Sequence, residues 1–231
     1  MLPQHTFCFK MNKILTVTIS FFFFTSLVLK AQELPPVQIY SPKVYGAENQ
    51  NWSITQSKDK FIYVANNKGL LEFDGAVWNL YPSPNDAILR SVKVIDDLIY
   101  TGSYMEFGYW QRNEKGGLNY TSLREVLKLK FLDDEEIWNI ICLDDYILFQ
   151  SLKRIYIYNR TENVCSIIDS EATIHKMFKV NNVIYFQKDK AGLYKIEKGT
   201  AILVSEDALF ANWTCNKKSD KFSKTYATFL I

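Results

Sequence analysis

The sequence predicts an all-β protein, a β-propeller of about four blades with four antiparallel strands each. Three observations lead there: a fourfold internal repeat, a polar turn pair inside each repeat, and an aromatic-rich composition. Aromatic residues make up 15% of the 231 residues, and flat side chains suit a pleated, packed sheet surface better than a helical bundle. With 48% apolar and 23% charged residues, the chain has material for a core and is not disordered throughout.

The first element is an export signal. Residues 14–29, ILTVTISFFFFTSLVL, are uncharged, preceded by Lys10 and Lys13 and followed by Lys30 and Ala31. That basic start, apolar run and small-residue exit form a helical signal peptide over residues 1–31, with Met11 as an alternative start. The run falls short of the about 20 residues a spanning helix wants, so a membrane tether follows only if the signal stays uncleaved. Periplasmic or secreted placement is expected. The first 31 residues hold three lysines and no acid, so the remainder carries 24 basic against 25 acidic groups, and the formal +2 of the whole chain is misleading. A net charge of −1 gives no electrostatic basis for nucleic-acid binding.

Residues 32–50, with Pro35 and Pro36, read as an extended lead-in. Four segments then align without gaps, beginning at Asn51, Leu89, Ile137 and Ile174. Their anchors Tyr63, Tyr100, Leu148 and Tyr185 lie 37, 48 and 37 residues apart. Each segment reads as a strand, a polar pair (Asp59-Lys60, Asp96-Asp97, Asp144-Asp145, Asn181-Asn182) and an apolar second strand. Third strands are predicted over 70–73, 107–111, 154–158 and 193–196, and fourth strands most clearly over 77–81 and 201–205. The unbroken apolar second strand fits a blade packed on both faces. The long middle step is attributed to an inserted helix, capped by Ser122 and Glu125 and running to about Phe131, which decorates an inter-blade loop.

The blades are expected to fill residues 51–210. Beyond them, residues 211–231 break the pattern and read as an irregular tail, such as a shifted frame or a premature stop leaves. The ring is therefore expected to be incomplete, with the outer face of the fourth blade, near 184–186 and 193–196, free for self-association.

The residues Glu48-Asn49-Gln50-Asn51-Trp52, the run from Tyr63 to Gly75, Glu106-Phe107-Gly108-Tyr109-Trp110 and Phe149-Gln150-Ser151-Leu152 carry a resemblance. Over roughly residues 35–210 the chain resembles the propeller sensor region of the Bacteroidetes two-component-regulator-propeller family, whose members add a triple-tyrosine domain and a LuxR-type helix-turn-helix. The resemblance implies a ligand-sensing propeller outside the inner membrane. The sequence after the repeats contains no second apolar span or helix-turn-helix pattern, so membrane-crossing signalling and DNA binding are not carried over.

No residue is assigned a catalytic or metal-binding role, and no cofactor is expected. The acidic pairs at 96–97 and 144–145 occupy the turn that Asn181-Asn182 fills in the fourth unit, and Asp133-Asp134 falls in the insertion, where solvation is the default. With only His5 and His175, a multi-histidine metal site is excluded. Cys142, Cys165 and Cys215 lack CxxC spacing and form no disulfide framework.

The first strand of each blade lines a propeller's axis, so its start marks the axial mouth. That column reads Ser53, Arg90, Trp138 and His175, preceded by apolar Trp52, Leu89, Ile137 and Ile174. Arg90 offers a forked donor, Trp138 a stacking face and His175 a titratable group, a set suited to a polar organic ligand such as a sugar or carboxylate. Loops on the same face add Asn66, Asn67, Tyr104, Gln150 and Lys188. The candidate ligand-binding residues are Arg90, Trp138, His175, Asn66, Tyr104 and Gln150. The expected function is an exported, non-enzymatic sensor or interaction module for a small polar ligand, glycan-derived or otherwise, or for an exported protein. The alternatives are an exported propeller enzyme acting on glycans, disfavoured because the mouth column holds no acid, and a truncated product without function.

Overall fold

The repeat resolves into sixteen short strands in four separate four-stranded antiparallel sheets, each hydrogen-bonded in chain order. This computed structural model describes Leu15, Phe21 and residues 37–206. The rest of the signal segment and the tail from 211 lie outside the described residues. The chain divides into two units, residues 1–39 with 231, and residues 40–230. In the first, Leu15 and Phe21 are helical and exposed. All sixteen strands belong to the second.

Sheet 1 contains β1 (Asn51–Gln56), β2 (Ile62–Asn66), β3 (Gly69–Phe73) and β4 (Trp78–Pro82). Sheet 2 contains β5 (Ser91–Ile95), β6 (Leu98–Ser103), β7 (Glu106–Arg112) and β8 (Leu118–Ser122). Sheet 3 contains β9 (Asn139–Leu143), β10 (Tyr146–Gln150), β11 (Arg154–Asn159) and β12 (Val164–Asp169). Sheet 4 contains β13 (Ile174–Val180), β14 (Val183–Lys188), β15 (Gly192–Glu197) and β16 (Thr200–Ser205). First strands adjoin in order, β1 beside β5, β5 beside β9 and β9 beside β13. This is a four-bladed β-propeller arrangement.

Three apolar interfaces hold the blades. Tyr63, Ala65 and Leu70 meet Val92, Ile99 and Trp110 between sheets 1 and 2. Tyr100 and Phe107 meet Ile147, Phe149 and Tyr156 between sheets 2 and 3, with Phe107 and Phe149 stacked at 4.2 Å. Leu148, Ile155 and Ile157 meet Met177, Ile184 and Phe186 between sheets 3 and 4. The apolar run of β10 thus serves two interfaces, with Ile147 and Phe149 facing one neighbour and Leu148 the other. Among the described residues no core cluster joins sheet 4 to sheet 1. The free face of sheet 1 is covered by the lead-in instead, where Tyr40, Tyr45 and Ala47 pack on Val64, Leu71 and Trp78.

The lead-in is not wholly extended. Pro42–Tyr45 form one helical turn, α1, with Pro42 in the first turn and Gly46 closing it at φ 68°, where its N–H donates to Pro42 O at 2.9 Å. The sequence carried this Pro-to-Gly signal, but four residues give it little weight beside Pro35 and Pro36.

In sheets 2, 3 and 4 the first hairpin is a two-residue turn, pairing Ile95 with Leu98, Leu143 with Tyr146 and Val180 with Val183. Asp96, Asp144 and Asn181 each take a left-handed φ near 50°, which Asp and Asn tolerate. Sheet 1 differs, since Gln56 pairs with Ile62 across a five-residue loop. The ungapped alignment therefore slips by one residue in the first unit. Ser53 pairs with Ala65 as Ser91 pairs with Gly102 and Asn139 with Gln150, so the counterpart of Arg90 is Trp52 and not Ser53.

The insertion also departs from expectation. Ser122 caps α2 (Leu123–Val126) by accepting from Glu125 N at 3.1 Å, but the helix ends far short of Phe131 because Lys128 turns left-handed at φ 52°. Phe131 is drawn against Phe107 and Tyr156, at centroid distances of 5.5 and 5.2 Å. The insertion is thus a packed wall of the second interface, together with Leu123 and Ile137, rather than a surface decoration.

Candidate functional site

Three innermost-strand starts bring Trp52, Arg90 and Trp138 together. The Arg90 guanidinium lies 4.1 Å from the Trp52 ring centroid and 4.8 Å from that of Trp138, and the two indoles meet edge-on at 6.0 Å. Arg90 Nε and Nη2 also donate to the two carboxylate oxygens of Glu136, each at 3.0 Å. Its side chain is 13% exposed, whereas Trp52 and Trp138 are 40% and 36% exposed. Arg90 is therefore a brace for two exposed indoles, and two of its five N–H donors are already used.

The position before this column is fixed by the backbone. Leu89 N donates to Asn66 O, Ile137 N to Ser103 O and Ile174 N to Leu152 O, so the entries of blades 2, 3 and 4 are each tied to the preceding blade's second hairpin. Leu89, Ile137 and Ile174 are buried at these ties. The next residues, Arg90, Trp138 and His175, thus occupy equivalent places after these ties.

His175 forms a separate pair, Nε2 to Asp189 Oδ1 at 3.4 Å, between the first strand of sheet 4 and the turn after its second strand. Tyr104 is 41% exposed, and its hydroxyl donates to Asp134 Oδ1 at 2.8 Å, a bond that raises the phenol above its ordinary value. Asn66 and Gln150 lie on the expected face but are fully buried and occupied internally, which corrects their assignment as open ligand contacts. The Asn66 amide donates to Glu48 O, Gln50 O and Asn51 Oδ1, and its oxygen accepts from Glu48 N and Lys68 N. Gln150 donates to Ile174 O at 3.1 Å and accepts from Met177 N at 3.0 Å, bridging sheets 3 and 4.

Sequence reasoning missed the acids. The insertion delivers Asp133, Asp134, Glu135 and Glu136 to the mouth face, where they line a cavity of about 260 Å³ with Leu132, Trp138, Ser151, Leu152, Lys153 and Thr173. Glu135 is buried and accepts from Ser151 Oγ at 2.5 Å and Tyr156 OH at 2.6 Å. Burial and this bond push the Tyr156 phenol upward. The run DDEE ahead of the third unit was visible in the sequence, but the repeat register says nothing about where an insertion folds back. Among the described residues, no group of three or more His, Cys, Asp or Glu is arranged to hold a metal ion. No described helix is long and apolar enough to cross a membrane.

No protein-family model matches the chain, and no curated protein matches it either. Solved structures do match in fold. The virginiamycin B lyase from Staphylococcus aureus is 14% identical with a TM-score of 0.52, over 68% of this chain and 57% of the lyase. The extracellular domain of the putative hybrid two component system BT4673 from B. thetaiotaomicron is 17% identical with a TM-score of 0.52, over 70% of this chain and 22% of that one. The Pan2 WD40 domain of Neurospora crassa is 11% identical with a TM-score of 0.50, over 67% and 48%. The chain thus spans little more than half of the lyase and about a fifth of the BT4673 domain, and what it shares with the lyase and with that extracellular domain alike is the propeller fold.

Proposed function

We propose that this protein is an exported sensing or interaction propeller that receives a small polar ligand, or a group on a partner protein, at the mouth face. The observation that carries this reading is the cavity of about 260 Å³ against the exposed indole of Trp138, braced from behind by Arg90 and Glu136. A pocket with one aromatic wall and a few placed polar groups is the usual form of a small-molecule site. The basic, apolar and small-residue order of residues 10–31 supports export. The likeness to a domain described as extracellular and part of a two component system agrees with both.

The enzyme alternative has gained acids on this face, and a lyase shares the fold. Hydrolysis of a glycosidic bond needs one carboxyl group as proton donor and a second as base or nucleophile. Here Glu136 is held by Arg90, Glu135 by Ser151 and Tyr156, and Asp134 by Tyr104, so three of the four acids of this wall already have side-chain partners and only Asp133 stands without one named. A thermal-shift screen of small polar compounds, run beside a glycan-cleavage assay, tests the reading. Ligands that raise the melting temperature of the wild type but not of Trp138→Ala, with no cleavage, support it; turnover of any glycan, or shifts indifferent to Trp138, overturn it.

A further inference from the structure

The cavity beside Trp138 differs in electrostatics from a site built for a carboxylate. Arg90, the cation stacked on Trp138, does not line the cavity, and its Nε and Nη2 are bound to Glu136. Asp133, Asp134 and Glu135 line the same cavity against one lysine, Lys153, whose ammonium donates to the carbonyl of Glu171. Leu132 and Leu152, 38% and 45% exposed, supply apolar contact at the rim. The molecule already displays what such surroundings hold, because Arg90 is itself a cation resting on Trp52 and Trp138 with a carboxylate at its head.

We infer that the cavity selects ligands bearing an ammonium or guanidinium group over neutral or carboxylate-bearing ones. The cationic head sits by Trp138 and the carboxylates of Asp133 and Asp134, and its aliphatic part lies on Leu132 and Leu152. An indole attracts a cation through its ring quadrupole, and carboxylates at the same wall add a field that repels anions. The inference rests on the mouth-face site of the proposed function and names the chemistry it receives.

The test titrates the full chain with agmatine, choline, glucose and gluconate, followed by calorimetry and tryptophan fluorescence at low and high salt. Agmatine and choline are expected to bind, more weakly as salt rises because the charges lie near solvent. Binding should fall at least tenfold in Trp138→Ala, and about tenfold at low salt in the double variant Asp133→Asn/Asp134→Asn, whose changes lie in a surface loop and leave the core intact. Glucose or gluconate binding as tightly as the cations, with loss in Trp138→Ala, would keep the receptor site and overturn the cation preference. Cation binding indifferent to both variants, or no binding by either cation, overturns the inference as well; the broader thermal-shift screen then decides separately whether the site receives anything.

Discussion

Arg90 and Glu136 form a two-point ion pair between the start of the second blade and the insertion before the third, with both N–O distances at 3.0 Å. The pair is partly buried, at 13% and 24% side-chain exposure, so it escapes most of the screening that makes surface pairs nearly worthless. Its second task is to hold the guanidinium over Trp52 and Trp138.

Arg90→Ala is therefore expected to destabilise the protein by about 2 kcal/mol, from the lost charged hydrogen bonds and ring contacts. It should also change tryptophan emission, since two indoles lose their shared neighbour. A double-mutant cycle with Glu136→Gln, read by denaturant melts, checks the coupling. Additive effects would show that the pair contributes nothing as a pair.

Gln150→Ala removes the two bonds its own side chain makes to sheet 4, leaving that of Asn139 Nδ2 to Met177 O in place. It strands Ile174 O and Met177 N in a buried interface, at about 1–3 kcal/mol for each unsatisfied group. The expected loss is about 2–4 kcal/mol, with faster hydrogen exchange at Met177 than in sheets 1 and 2. A loss below 1 kcal/mol, or exchange changes spread evenly over the protein, would count against an inter-blade rivet.

Gly102 illustrates how closely blades 2 and 3 approach. A Cβ there would sit 2.5 Å from Ile137 Cγ2 and 2.6 Å from Ser91 Oγ. Gly102→Ala should cost about 1–3 kcal/mol by overpacking, and Ile137→Ala, which removes the Cγ2 that the new Cβ meets, should cost less in that background than in the wild type. Equal stability of wild type and Gly102→Ala would mean that the interface gives more readily than its geometry implies.

The strands, their turns and the blade order were legible because each follows from local chemistry repeated four times. Asp96, Asp144 and Asn181 mark tight turns by tolerating left-handed φ, and Ile147, Leu148 and Phe149 mark a strand with two buried faces. The first unit's register was not legible, because the five-residue loop from Ser57 to Phe61 disguises itself as the two-residue turns elsewhere. The site was half legible. Arg90 and Trp138 do meet, but Trp52 replaces Ser53, and Asn66 and Gln150 turn inward for bonds that depend on chain segments far away in sequence. The acidic wall was hidden because non-repeating residues fold back by packing of Phe131 and Ile137, which no periodicity announces.

Glu106 gives a pH prediction with a definite sign. Burial raises its carboxyl above the ordinary 4.5, opposed by hydrogen bonds from Ser122 and Tyr120. The folded state therefore holds this proton more tightly than the unfolded state. As pH rises from 4.5 through the folded value, the unfolded state releases its proton first and this group's contribution to stability falls. Glu106→Gln keeps an oxygen acceptor for Ser122 and Tyr120 and removes the titration. Its melting temperature relative to wild type should thus climb over that pH window; a difference that is flat, or that falls, rejects a raised carboxyl at this position.

The last prediction concerns the face of sheet 4 turned away from sheet 3. Pairing sets Phe178, Tyr185, Lys195 and Ile202 in one row across the sheet, and Val180 follows Phe178 on the same side. Phe178, Val180 and Ile202 are 40%, 48% and 41% exposed, whereas Ile184 and Phe186, also expected on this face, are buried against sheet 3. Sheet 1 has a comparable outward face, but Tyr40 and Tyr45 cover it. An uncovered apolar row on a regular sheet favours pairing with a second copy. Residues 32–231 are accordingly expected to associate as their concentration rises, with the heavier species seen by light scattering. Lys195 already breaks the row, so one further charge should suffice to repel a facing copy. Phe178→Lys with Ile202→Lys should return the protein to monomer without altering the melting temperature of the dilute sample, because both side chains are exposed there. A wild type that stays monomeric and melts cooperatively at high concentration would show that this face needs no partner.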